Sequence, residues 1–153
     1  MKRTLLLLFL PILTLAVHGE VIDGICYNIK YSAKTAEVTF NRNNKYSGDI
    51  VIPATVVLDG TEYTVTGVLG RSFAECPDLT SVTFPNSVAS FGNSVFEKSP
   101  NLTSIVIDEE NPVFDSRENC NAVIETASNK LLFGCKGTTI PNSVTTIGQA
   151  SFI

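Results

Sequence analysis

The chain predicts a β-rich solenoid of short stacked parallel strands with irregular connections, opened by an N-terminal β-hairpin cap. Three observations carry that prediction. A step of 23 residues lays Phe73 on Phe96, Leu79-Thr80-Ser81 on Leu102-Thr103-Ser104 and Val82 on Ile105. A step of 56 lays Pro85-Asn86-Ser87-Val88 on Pro141-Asn142-Ser143-Val144, Gly92 on Gly148 and Phe96 on Phe152, so one 23-residue unit is followed by an enlarged unit of 33. Within a unit the apolar positions Phe73, Cys76, Leu79, Val82, Phe84, Val88, Phe91 and Phe96 fit neither a long helix nor one continuous strand.

Residues 1–19 read as a secretory signal. Lys2 and Arg3 give the positive start, residues 5–17 the apolar core, and Val17-His18-Gly19 a cleavage site before Glu20. No later stretch approaches the ~18 continuous apolar residues of a membrane span, so the cleaved chain is expected to be secreted or at the cell surface and not membrane-spanning. Cys26 stands behind the polar Glu20, Asp23 and Gly24, which argues against lipid attachment. Cleavage takes Lys2 and Arg3 from the 11 basic residues and leaves 9 against 15 acidic ones, a net charge of −6. Scattered lysines and arginines on an acidic chain exclude a nucleic-acid partner, because phosphate binding needs them clustered.

Residues 20–66 form the expected cap. Ile25, Tyr27, Ile29 and Tyr31 alternate with polar neighbours, and Glu37-Val38-Thr39-Phe40 offers a second strand. Residues 49–53 and 61–65, linked across Asp59-Gly60, read as a further hairpin. A cap covers the apolar interior that the first coil would otherwise expose. Residues 67–153 form the repeat array. In it, residues 79–84 make a strand that Pro85 ends, Asn86-Ser87 turn the chain, and Gly92 permits a second bend. The enlarged unit, residues 107–139, carries the acidic run Asp108-Glu109-Glu110 and then two apolar runs, 122–125 and 130–133, that read as a local hairpin. The final repeat, 140–153, stops at Ser151-Phe152-Ile153 on large apolar residues, as expected of the front part of a longer protein or of a truncated gene product.

Catalytic chemistry has little to work with. The single histidine, His18, lies in the signal, which removes Ser-His and Cys-His activation and histidine-containing zinc sites. The four cysteines, Cys26, Cys76, Cys120 and Cys135, contain no CxxC pair. Cys76 falls where the next repeat has Ser99, the pattern of a small buried residue. Cys120 and Cys135 read either as a disulfide across the hairpin or as two thiols. Gly67-Val68-Leu69-Gly70 lacks the following Gly or Lys of a phosphate cradle and reads as bend chemistry. The acidic run, with Asp115 and Glu118 nearby, lacks the alternating spacing of a calcium loop and reads as solvated surface; nothing sets Glu110 and Asp115 at a glycosidase separation. No cofactor, metal or catalytic residue is expected.

With Leu79, Val82 and Phe84 pointing inward, Ser81 and Thr83 point out, and Ser104 and Val106 repeat them one coil later. Those four are the candidate ligand-binding residues, since stacked strand faces serve repeat proteins as binding surfaces. The expected role is non-catalytic recognition; the alternative is an N-terminal structural spacer that displays a region lying elsewhere.

The runs LTSVTFPNSVASFGNSVF, NPVFDSRENCNAVIET, NKLLFGCKGTTIPNSVTTIG and DIVIPATVVLDGTEYTVTGV resemble the BspA-like leucine-rich-repeat family of secreted bacterial proteins, across nearly all of the chain beyond residue 19. The resemblance implies a leucine-rich-repeat fold, a place at the cell surface or exterior, and adhesion to an extracellular protein, a host-matrix component or another cell.

Overall fold

The structure, a computed structural model, describes residues 19–149 and Phe152. The expected signal, apart from Gly19, and the terminal Ser151 and Ile153 lie outside the described residues. Thirteen strands and one 3-10 turn make up the regular structure of the described residues. Three strands, β1 (Glu20–Ile22), β2 (Ile25–Lys30) and β3 (Thr35–Val38), form an antiparallel meander. Next come β4 (Gly48–Val51), β5 (Thr55–Leu58) and β6 (Thr61–Val68). The repeat region supplies β7 (Leu79–Phe84), β8 (Ser90–Phe91) and β9 (Ser104–Ile107). The enlarged unit adds β10 (Phe114–Asp115), the 3-10 turn (Arg117–Asn119), β11 (Ala122–Glu125) and β12 (Lys130–Gly134), and β13 (Thr146–Ile147) closes the series.

The strands are not all parallel, which corrects the expectation. β1–β2, β2–β3, β5–β6, β10–β11 and β11–β12 pair antiparallel, while β3–β6, β6–β8, β4–β7, β7–β9 and β12–β13 pair parallel. The cause is connection length. Strands joined by a tight turn fold back antiparallel, whereas strands a whole coil apart return in the same direction.

A second correction concerns the hairpin expected between residues 49–53 and 61–65. Thr61–Val68 does turn back at Asp59 (φ 49) and Gly60 (φ 75), but onto Thr55–Leu58. Gly48–Val51 instead lies beside β7, pairing Asp49 with Ser81, Ile50 with Val82 and Val51 with Thr83. Pro53, with no N–H to give, separates the two strands. The hairpin expected at residues 122–133 is present as β11 and β12.

The 23-residue step is a physical spacing. Ser81 pairs with Ser104, Val82 with Ile105, and Thr83 with Val106. Phe73 stacks on Phe96 with centroids 5.7 Å apart and planes at 19°. Leu79, Val82, Phe84, Leu102 and Ile105 are buried in one apolar core, each worth about 2 kcal/mol relative to exposure. Phe84, Phe91, Phe114 and Phe133 carry that core forward through edge-on and tilted contacts of 5.0 to 5.9 Å. Gly92 is required by close approach, since a Cβ there would sit 2.2 Å from Gly70 N. Cys120, Ala122, Ile124 and Leu131 make a separate small core in the enlarged unit.

Asn111 joins the enlarged unit to the repeat before it. It is buried, its Nδ2 donates to the carbonyls of Pro85 and Val88, and its Oδ1 accepts from the N–H groups of Val113 and Phe114. One side chain thereby ties the end of the acidic run to the preceding coil.

Candidate recognition face

β4, β7 and β9 form a three-stranded parallel sheet whose inward residues Val82, Phe84 and Ile105 are fully buried. Alternation then sends the intervening residues to the other side. Two rows result: Asp49, Ser81 and Ser104 in one, and Val51, Thr83 and Val106 in the other. All four residues expected from the sequence are brought together, two on each of adjacent strands.

The sequence reading missed Asp49 and Val51. The step from β4 to β7 is 32 residues, outside the repeat period, yet Asp49-Ile50-Val51-Ile52-Pro53 copies the pattern of Ser81-Val82-Thr83-Phe84-Pro85. An apolar residue at every second position, ended by proline, was the available signal.

The first row is polar and interlocked. The Ser81 and Thr80 hydroxyls both donate to Asp49 Oδ1 at 2.7 Å. Those bonds, Thr80 first, hold the Asp49 carboxyl below the ordinary aspartate value. The second row is β-branched and open, with Val51 at 67% and Val106 at 41% exposure. Polar and apolar rows side by side suit protein surfaces, whose contacts combine both.

The other residues singled out in the sequence fall elsewhere. Asp108, Glu109, Glu110, Asp115 and Glu118 surround one open depression together with Arg117. Arg117 Nε donates to Asp115 Oδ1 at 2.7 Å, and Thr126 Oγ1 to Asp115 Oδ2 at 2.8 Å, so Asp115 is committed to local bonds. Among the described residues no group of three His, Cys, Asp or Glu is arranged to hold a metal ion, and no helix is long and apolar enough to cross a membrane. All four cysteines are buried free thiols, Cys120 and Cys135 included. Burial pushes the thiols of Cys26, Cys76 and Cys120 up, away from the reactive thiolate.

Residues 61–129 match the family model described as "BspA type Leucine rich repeat region (6 copies)". Solved structures similar to this chain include three leucine-rich repeat proteins. A leucine-rich repeat protein from Bacteroides capillosus is 24% identical with a TM-score of 0.58, over 88% of this chain and 92% of that one. One from Bacteroides ovatus is 25% identical with a TM-score of 0.57, over 87% and 38%. A leucine rich cell surface protein from Faecalibacterium prausnitzii is 24% identical with a TM-score of 0.51, over 61% and 24%. The matched region thus spans 24% of the Faecalibacterium chain and 38% of the B. ovatus chain. No functionally curated protein matches this chain.

Proposed function

Residues 61–129 belong to the BspA-type leucine-rich-repeat family, and from that premise we propose that the chain is an exported recognition protein. It docks a partner protein on the outer face of β4, β7 and β9, at the cell surface or outside the cell, in adhesion and without catalysis. The observation that carries this reading is the paired rows Asp49–Ser81–Ser104 and Val51–Thr83–Val106 on one parallel sheet. The exposed valines Val51 and Val106 supply apolar contact, and the Asp49 carboxylate supplies orientation. Successive coils stacked as a solenoid would extend the same face rung by rung. The surface-protein description of the Faecalibacterium relative is in keeping with that location.

The test is a solid-phase screen of the purified protein against a panel of extracellular-matrix proteins, with the variant S81R/S104R beside it. Both positions are half-buried on the outer face, where arginine extends into solvent without entering the core. Saturable binding to a panel member that the variant loses, while keeping its thermal midpoint, is the expected result. Binding retained by the variant would move recognition off this sheet. A spacer within a larger protein, the competing reading, predicts no binding by either form; it draws on the small share of two relatives that the chain spans.

A further inference from the structure

The backbone of β4 turns to alternate sides along the strand. Gly48 N–H donates to the Asp78 carbonyl at 2.7 Å and Ile52 N–H to the Thr83 carbonyl at 2.9 Å, so Gly48, Ile52 and by alternation Ile50 face β7. In a parallel ladder the residues between them face the other way, which directs the N–H and C=O of Asp49 and Val51 away from β7. The strand order β4-β7-β9 makes that side an edge of the sheet. Side-chain exposure agrees: Val51 is 67% exposed, against 41% for Val106 on the opposite edge strand.

The two edges differ in how they are finished. The enlarged unit closes β9, with Ile107 N–H donating to Ser116 Oγ at 3.0 Å and Lys136 N–H to the Leu102 carbonyl at 3.1 Å. In contrast, Gly48-Asp49-Ile50-Val51 holds neither lysine nor proline, the residues that ordinarily deter pairing at an edge. Its one charge is Asp49, exposed on the outer face. The Thr80 and Ser81 hydroxyls both bond Asp49 Oδ1, and Oδ2 accepts no bond among the described residues.

We propose that β4 takes up an extended segment of the partner protein as a fourth strand of this sheet, with a lysine or arginine beside Asp49 and a β-branched residue beside Val51. The proposal rests on the recognition function assigned to this face and specifies how the partner docks. The segment's main chain bonds the N–H and C=O groups of Asp49 and Val51 and supplies affinity, while its alternate side chains supply selectivity. Neighbouring strands lie about 4.8 Å apart, which brings a basic side chain within reach of Asp49 Oδ2 and sets an acidic one against it. Each outer row is thereby lengthened by one residue, the polar row by a cation and the β-branched row by a residue of its own kind.

The probe is a synthetic peptide copying residues 77–86 with the substitution S81K, because β7 already pairs with β4 and presents outward residues at the required spacing of two. A second peptide carries S81E. Titrated into isotope-labelled protein, the first should give saturable NMR shifts at the Asp49 and Val51 amides. It should bind about 5-fold or more tighter than the second, and the D49N protein should lose that preference. Val51→Pro removes an N–H that serves no bond to β7, so it should keep the thermal midpoint and weaken the first peptide at least ~10-fold. Should V51P lower the midpoint, the loss of preference in D49N decides. The proposal is overturned by no saturable shift at millimolar peptide, by shifts that leave the β4 amides unmoved, or by equal affinity for the two peptides. Concentration-dependent self-association through β4 would assign the edge to a second copy and overturn it equally. Matrix-protein binding lost in S81R/S104R but kept in a folded V51P would overturn strand addition and leave the recognition face standing. Selective peptide binding with no matrix-protein partner would support strand addition and tell against adhesion.

Discussion

The N–H of Cys76 donates to the hydroxyl of Ser99 at 3.1 Å, and the same hydroxyl donates to the carbonyl of Phe73 at 2.7 Å. Ser99 is the 23-residue counterpart of Cys76, so one repeat's small residue fastens the backbone of the repeat before it. Both residues are 1% exposed, and water has no ready access to replace the bonds. Ser99→Ala should therefore destabilise the fold by about 1–3 kcal/mol, the cost of stranding a buried donor and acceptor. The measurement is a urea midpoint with the slope unchanged. A midpoint equal to the parent's would mean that the seam does not depend on this hydroxyl.

That seam also shows what the sequence made legible. The 23-residue register, the burial of Cys76 and the outward pointing of Ser81, Thr83, Ser104 and Val106 follow from alternation and repetition, which are local properties. The partner of β4 does not, because its 32-residue offset breaks the period and the Asp59-Gly60 turn announces a hairpin without saying which upstream strand it uses.

Two tyrosines separate a satisfied hydroxyl from an orphan. The Tyr46 hydroxyl accepts from Cys26 N–H at 2.9 Å and donates to the Thr39 carbonyl at 2.8 Å, while the Tyr27 hydroxyl is buried with no partner among the described residues. Removing the first oxygen strands two groups; removing the second relieves an unpaid desolvation. Tyr46→Phe should cost about 1–3 kcal/mol, and Tyr27→Phe should be neutral or stabilise by up to ~1 kcal/mol. Paired denaturation curves decide it, and a loss at Tyr27 as large as that at Tyr46 would refute the distinction.

The last prediction concerns the one carboxylate among the six residues of the recognition face. Hydroxyl bonds from Thr80 and then Ser81 favour its charged form, so its folded pKa lies below the ordinary 3.8. A depressed folded value means that the fold gains stability from Asp49 above the unfolded pKa and loses it as pH falls through the folded one. The effect is therefore confined to acid, below about pH 4, and the face keeps its negative charge throughout the neutral and mildly acidic range. Carboxyl-detected NMR titration should give Asp49 a midpoint below 3.8 that rises in S81A, in T80A, and furthest in the double variant. Binding through this face should then be insensitive to pH between about 5 and 8, where Asp49 does not change charge and residues 19–153 contain no histidine. A midpoint that the double variant fails to move would show that the hydroxyls do not control the carboxylate. A binding loss near neutral pH would point to a titrating group on the partner, since the face itself offers none.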